Sequence, residues 1–229
     1  MPRKKTPRLN AIVVAHPDDE ALFFAGLLMS RRKYPWHVIC VTDGNADGAG
    51  KMRAEQFKNS CRLLKVSKCE QWDFPDIFEQ RLDVTKLVSR LETLPDYEKV
   101  YTHGILGEYG HFHHQDVSYA THLAFVRRSQ VLSVAYNIYP KEKLNLSPAQ
   151  FDLKTKILWK VYGSETQRLI NLIPATTTEG FSPVSLKEVQ ALYSFLAMGK
   201  TLEESHLKNF KWLGDWIKGR FSKLQSRPF

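Results

Sequence analysis

From residue 9 to residue 137 the chain alternates strand-length and helix-length patterns, and that regularity constrains the fold more than any other feature. Residues 9–15 read as a buried strand, 20–32 as a helix, 36–42 as a strand and 51–64 as a helix. The order continues with a strand at 70–74, a helix at 83–94, a short strand at 99–102, a helix at 116–127 and a strand at 130–137. Parallel neighbours need a crossover connection, usually a helix. The alternation therefore predicts an α/β, Rossmann-like, doubly wound and mostly parallel sheet with helices on both faces. Parallel strands share a direction, so the strand-to-helix junctions at 16–20, 43–50, 73–76 and 103–114 are expected to open on one side.

Beyond Pro140 the pattern weakens to a helical stretch at 151–166, a Thr- and Pro-rich loop at 174–183, and helices at 186–197 and 202–224. The last helix sets Phe210, Trp212, Trp216 and Phe221 against Lys208, Lys211, Lys218 and Arg220. That amphipathic pattern suits either docking on the body of the domain or peripheral contact with an anionic membrane. The chain has 229 residues and a formal net charge of +9, much of it at the two ends. Charge alone does not select a partner. With no RNP-like aromatic motif, zinc-finger spacing or recognition helix, nucleic acid is disfavoured. No apolar run approaches the length of a membrane span and no signal-peptide cleavage site stands out, so a cytoplasmic location is expected, with association at the inner face of a membrane as the variant. Cys40, Cys61 and Cys69 lack CxxC spacing and are expected to be reduced thiols, two of them in apolar element patterns. The oligomeric state is not legible.

The first strand stops on His16-Pro17-Asp18-Asp19-Glu20, where a histidine is followed by three acids within four positions. At the carboxyl end of a parallel strand this reads as half of a metal site. The other reading is a loop that caps the following helix, since Asp and Pro favour helix starts. A second cluster, His111-Phe112-His113-His114, can complete a metal site. Hydrolytic zinc takes three ligands from His, Asp and Glu and leaves one position open. His16, Asp19 and one histidine of the second cluster meet that need. Asp18, next to a ligand but facing differently, is the candidate general base. A second histidine suits proton donation to a leaving amine, and a tyrosine hydroxyl suits the oxyanion. His103 is a weak competitor as ligand, Glu20 is assigned to its helix start or to orienting a ligand, and Asp43, Asp47 and Glu108 are candidates for the pocket rim.

The segments Ala15 to Glu20 and Gly110 to His114 resemble the AHPDDE and GH-x-x-H hallmarks of the LmbE-like, or PIG-L, zinc-dependent sugar de-N-acetylases. The resemblance extends through Val41-Thr42-Asp43-Gly44, Arg53 with Glu55, Asp73-Phe74-Pro75-Asp76 and Lys156 to Glu165, covering roughly residues 9 to 166. It implies Zn2+ ligation by His16, Asp19 and His114, with Fe2+ as the other metal to consider. It further implies Asp18 as general base, His111 as the second catalytic histidine, Tyr109 near the acyl oxygen, and Arg53 and Asp76 on the sugar hydroxyls. His113 is a departure, because many members carry Asp there to support the catalytic imidazole. The implied activity is removal of the acetyl group from an N-acetylglucosamine-type sugar or glycoconjugate. The rivals are a metal-dependent deacylase of a non-sugar or O-acetyl substrate, and a non-catalytic binder of anionic lipid or glycan. The implied organisation is a basic tail at 1–8, a single deacetylase domain at 9–200 and the basic amphipathic helix at 201–229.

Overall fold

The computed structural model describes residues 9–136, 138–169, 176–201, 203, 205 and 206. The expected basic tail and most of the expected C-terminal helix lie outside these residues. Five strands, β1 (Asn10–Val14), β2 (Trp36–Thr42), β3 (Lys68–Phe74), β4 (Lys99–Thr102) and β5 (Gln130–Val134), pair in parallel. Two later strands, β6 (Glu142–Asn145) and β7 (Thr178–Ser182), extend the sheet, whose order is β3-β2-β1-β4-β5-β7-β6. Strand β7 runs antiparallel to both of its neighbours, β5 and β6. The chain winds from β1 out to β3, then returns to place β4 on the other side of β1. The reversal point of the sheet therefore lies between the carboxyl ends of β1 and β4, where open α/β sheets form their binding crevice.

Period-two alternation divides the core into two faces. Ile12 and Val14 of β1 and Val38 and Cys40 of β2 face one side; Ala11, Val13, Ile39 and Val41 face the other. Both faces are covered, which is why these strands read as continuous apolar runs. Helices α1 (Asp19–Ser30), α2 (Gly50–Leu63) and α5 (Pro148–Lys160) cover the first face through Phe24, Leu27, Phe57, Cys61, Ile157 and Leu158. Helices α3 (Val84–Glu92) and α4 (Phe112–Phe125) cover the second through Leu87, Leu91, Val117 and Ala120. Burial of each such large side chain contributes roughly 1.5–3 kcal/mol before conformational entropy is counted. Cys40 and Cys61 are buried, Cys69 is half-buried, and all three are free thiols.

Four local expectations change. The stretch at 174–183 contains β7, whose Phe181 stacks on Phe24 with ring centroids 5.6 Å apart. The short Thr-Glu-Gly-Phe-Ser run gives little strand signal; its partners β5 and β6 are supplied by the tertiary fold. The expected helix at 151–166 divides into α5 and α6 (Gly163–Leu169). Strand β6, half-exposed and charged as edge strands often are, was not anticipated. Helix α4 begins at Phe112 rather than 116, because His111 acts as its N-cap, with Nδ1 accepting the His113 amide at 3.2 Å. A further helix, α7 (Leu186–Met198), packs through Val189 and Leu192 against Ile105 and Leu106 of the loop after β4. Among the described residues no helix is long and apolar enough to cross a membrane.

Candidate metal and catalytic site

The chain leaves β1 at Ala15, and the next four residues turn sharply into α1. His16 donates its amide to Asp19 Oδ2 at 2.7 Å, fixing that carboxylate beneath the turn. Asp18 has φ 125°, unfavourable for any L side chain, and it makes no side-chain capping bond although it stands at the N-cap. The cap reading of this segment therefore does not describe Asp18; the turn aims its carboxylate elsewhere. Glu20 locks the turn from below: it accepts the Asp18 amide at 3.1 Å, the Tyr162 hydroxyl at 2.8 Å and the Ser60 hydroxyl. Burial raises the Glu20 pKa to about 7, against the pull of those donors.

Donor atoms of three residues converge from the two motifs, with one Asp19 oxygen facing each histidine. His16 Nδ1 lies 3.3 Å from His114 Nε2 and 3.5 Å from Asp19 Oδ2, and His114 Nε2 lies 3.4 Å from Asp19 Oδ1. Tetrahedral zinc with bonds near 2.0–2.1 Å holds neighbouring ligand atoms about 3.3 Å apart, so the spacing fits such an ion. All three residues are buried. Burial works against a charged His16 ring, but bonds to Asp19 and Asp76 carry its pKa up to about 9. Burial pushes Asp19 up too, but the nearby His114 and His103 rings outweigh it and hold the carboxylate well below its usual range. Anionic acceptors that draw protons onto rings would equally draw a divalent cation.

Beside this triangle opens a cavity of about 310 Å³, lined on its polar side by His16, Asp18, Arg53, Asp76, His111 and Glu165. Tyr109 and His113 complete the wall, while Ile77, Phe78 and Phe112 stand exposed at the mouth. Arg53, from α2, donates to the Pro17 carbonyl at 2.9 Å. Its guanidinium lies 3.5 Å from Asp18, 3.8 Å from Glu165 and 3.9 Å from Asp76. Asp76 follows β3 and donates its amide to Asp43 Oδ1 at 3.0 Å, so Asp43 shapes this loop. Burial and the charge of Asp19 raise Asp18 well above the ordinary carboxylate range, with Arg53 opposing. Burial and the neighbouring rings depress His111 strongly. Tyr109 is held protonated by burial and by the Asp19 and Asp18 charges.

The structure gathers His16, Asp19 and His114 around one point, and Asp18, His111, Tyr109, Arg53 and Asp76 along the adjoining cavity, whereas Asp43 and Asp47 are not among its lining residues. Glu108 corrects one expectation. It is buried below the triangle, 3% exposed, rather than placed at the rim. His113 sits in the first turn of α4, its Nε2 donating to the Gln80 carbonyl at 2.9 Å and its Nδ1 facing His16 Nε2 at 3.0 Å. Sequence reasoning gave no role to Glu165, whose only local signal was its place just after the Ser164 that resembles the family's late Ser-Gln.

With this geometry in view, sequence comparison is decisive. The model of the GlcNAc-PI de-N-acetylase family, PIG-L, matches residues 11–125, which hold both clusters. The chain belongs to the PIG-L family. This PIG-L member is 26% identical over 238 residues to N-acetylglucosaminyl-phosphatidylinositol de-N-acetylase of Saccharomyces cerevisiae, across 92% of this chain and 77% of that enzyme. It is 32% identical over 123 residues to the uncharacterised protein L374 of Acanthamoeba polyphaga mimivirus, across 47% of this chain. The match spans 53% of the mimivirus protein, about half its length. The fold is also that of N,N'-diacetylchitobiose deacetylase from Pyrococcus horikoshii, with TM-score 0.57 and 16% identity across 79% of this chain and 85% of the other.

Proposed function

We propose that this PIG-L member removes the N-acetyl group from an N-acetylglucosamine-type sugar or glycoconjugate with the help of Zn2+. The observation that carries the reading is the His16–Asp19–His114 triangle, spaced for a tetrahedral ion, with the uncapped carboxylate of Asp18 in the adjoining cavity. Its family membership, and the activity named for its yeast relative, support the substrate class. A bound zinc ion supplies Lewis acidity and lowers the pKa of a water toward 7.

The chain's own groups do the rest. Asp18 takes the proton of the attacking water; burial and the Asp19 charge raise its pKa and so make it a stronger base for that proton. Arg53, 3.5 Å away, opposes that rise and favours the ionised carboxylate. Tyr109, held as a neutral phenol, donates a hydrogen bond to the developing oxyanion. His111 accepts the His113 amide at Nδ1, so a neutral ring carries its proton on Nε2 and can donate a hydrogen bond to the developing oxyanion without giving that proton up. Asp18 then returns the proton it has collected to the leaving amine. Arg53 and Asp76 bind sugar hydroxyls, Asp76 with its carboxylate kept anionic by His113 and His16 against the effect of burial. The exposed Ile77, Phe78 and Phe112 at the mouth favour an aglycone with an apolar portion.

Acetate release from N-acetylglucosamine glycoconjugates, with and without chelation and with Asp18→Ala as control, tests the reading. Acetate should appear only with metal present. Asp18→Ala should keep its zinc and lose roughly 100-fold to 10,000-fold in turnover. Full activity in the folded variant would remove Asp18 as the base.

A further inference from the structure

Below the triangle, out of contact with the cavity, lies a carboxylate that the proposed reaction does not use. The Glu108 side chain is completely buried. Its Oε2 lies 2.6 Å from His114 Nδ1 and 3.2 Å from His103 Nδ1, and its Oε1 accepts the Gly104 amide at 2.7 Å. The backbone fixes the sense of these bonds. Ala15 donates its amide to His103 Nε2 at 3.0 Å, closer than the 3.3 Å to Asp19 Oδ2, which favours a lone pair on that nitrogen and the ring's proton on Nδ1, aimed at Glu108. A carboxylate only accepts, so His114 Nδ1 must also carry a proton, leaving Nε2 with its lone pair directed at His16 Nδ1 and Asp19 Oδ1. The His103 and His114 rings stack with centroids 3.9 Å apart and planes at 18°, so His103 fixes the plane of its neighbour as well.

His103, Glu108 and His114 are close enough to suggest a second metal cluster. The 2.6 Å separation instead marks a charge-assisted hydrogen bond, being shorter than the spacing of about 3.3 Å expected between two ligands of one zinc ion. The local backbone is arranged around this contact at a cost. Glu108 adopts φ 51°, a left-handed conformation that favours glycine over any other residue. Gly107 before it has φ 70°, and a Cβ there would meet the His111 carbonyl oxygen at 2.4 Å. Such strain persists only where its surroundings over-determine it.

We propose that Glu108 is a positioning residue for the metal centre: its carboxylate holds His114 in the one tautomer and ring orientation that offer Nε2 to the cation, with His103 stacked beside it as a brace. A carboxylate behind a ligating imidazole also makes the ligating nitrogen more basic. This inference rests on the reading of His16, Asp19 and His114 as metal ligands.

Zinc affinity, measured by chelator competition on the full chain, tests it without reference to turnover. Glu108→Gln keeps shape but must turn either its oxygen or its amide group toward the two imidazoles. It should lower zinc affinity by about 10–100-fold. Its melting temperature in EDTA should stay close to that of the parent, separating lost positioning from lost folding. If that variant does not fold, Glu108→Asp, which withdraws the charge by one methylene, should show the same loss. Affinity within twofold of the parent in whichever variant folds overturns the proposal while leaving the ligand set intact. If the parent binds no zinc, or His114→Ala binds it as tightly as the parent, the ligand set itself has failed and this proposal falls with it.

Discussion

Arg53 shows how much one residue can arrange. Its guanidinium sits among three carboxylates, Asp18, Asp76 and Glu165, and it is tied to the Pro17 carbonyl on the same loop as Asp18. The general base must be ionised to work, so kcat/KM should rise with pH through the Asp18 pKa. Burial and Asp19 push that pKa up and Arg53 pulls it down. Arg53→Ala should therefore move the acid limb of the profile to higher pH and raise KM for the sugar. An acid limb that stays in place in the variant would show that Arg53 does not set the base. Both ends of this pair were legible in sequence: Asp18 from its motif and Arg53 from the R-x-E resemblance. Glu165 was not, because nothing in its own helix indicates that the chain brings it back to α2.

Elements decide where those residues point. Helix α4 carries His113 and His114 in its first turn because His111 caps it, so the cluster owes its direction to a helix start four residues earlier than its pattern predicts. The same helix buries His122, whose Nδ1 donates to the Ser118 carbonyl at 2.7 Å while its Nε2 has no hydrogen-bond partner. Burial lowers the His122 pKa from 6.5 to about 4. Above pH 6.5 the ring is neutral in both folded and unfolded chains. Between about 6.5 and about 4 only the unfolded chain takes up the proton, so stability falls as pH falls; below that the loss levels off at roughly 3 kcal/mol. His122→Leu should remove this component, seen as a shallower acid slope of urea-derived stability than in the parent. Identical slopes would mean that the ring protonates in place. Strand β7 is the opposite case from α4. Its five residues have weak strand character, yet they close the sheet between β5 and β6 and bring Glu179 to Lys154, a buried pair at 2.8 Å.

On the scale of the molecule, the site exists because the strand order reverses between β1 and β4, which run parallel, placing the loops after both strands beside one crevice. An ion held by groups from β1's loop and α4 ties two distant parts of the chain together. It should therefore stabilise the whole fold. At zinc one hundred times above its Kd the gain is about 2.7 kcal/mol. For a domain of this size that is a rise of roughly 5–10 °C in melting temperature. His114→Ala should abolish the rise, and an unchanged melting temperature on adding zinc to the parent would argue against a preformed centre. The five parallel strands, their order of appearance and the two motifs, one acidic with a single histidine and one rich in histidine, could be read from the sequence, because apolar periodicity and local junction chemistry are properties of neighbouring residues. Strands β6 and β7, the early start of α4 and the place of Glu108 beneath His114 could not. The strands and Glu108 depend on partners far away in the chain, an open sheet edge and an imidazole that meets an amide at β1's end, while the start of α4 depends on how the His111 ring turns back to cap its own helix. Sequence determined which chemistry the chain carries; tertiary packing decided which lone pairs face one another, since hydrogen-bond direction and burial are set by contacts that no local pattern records.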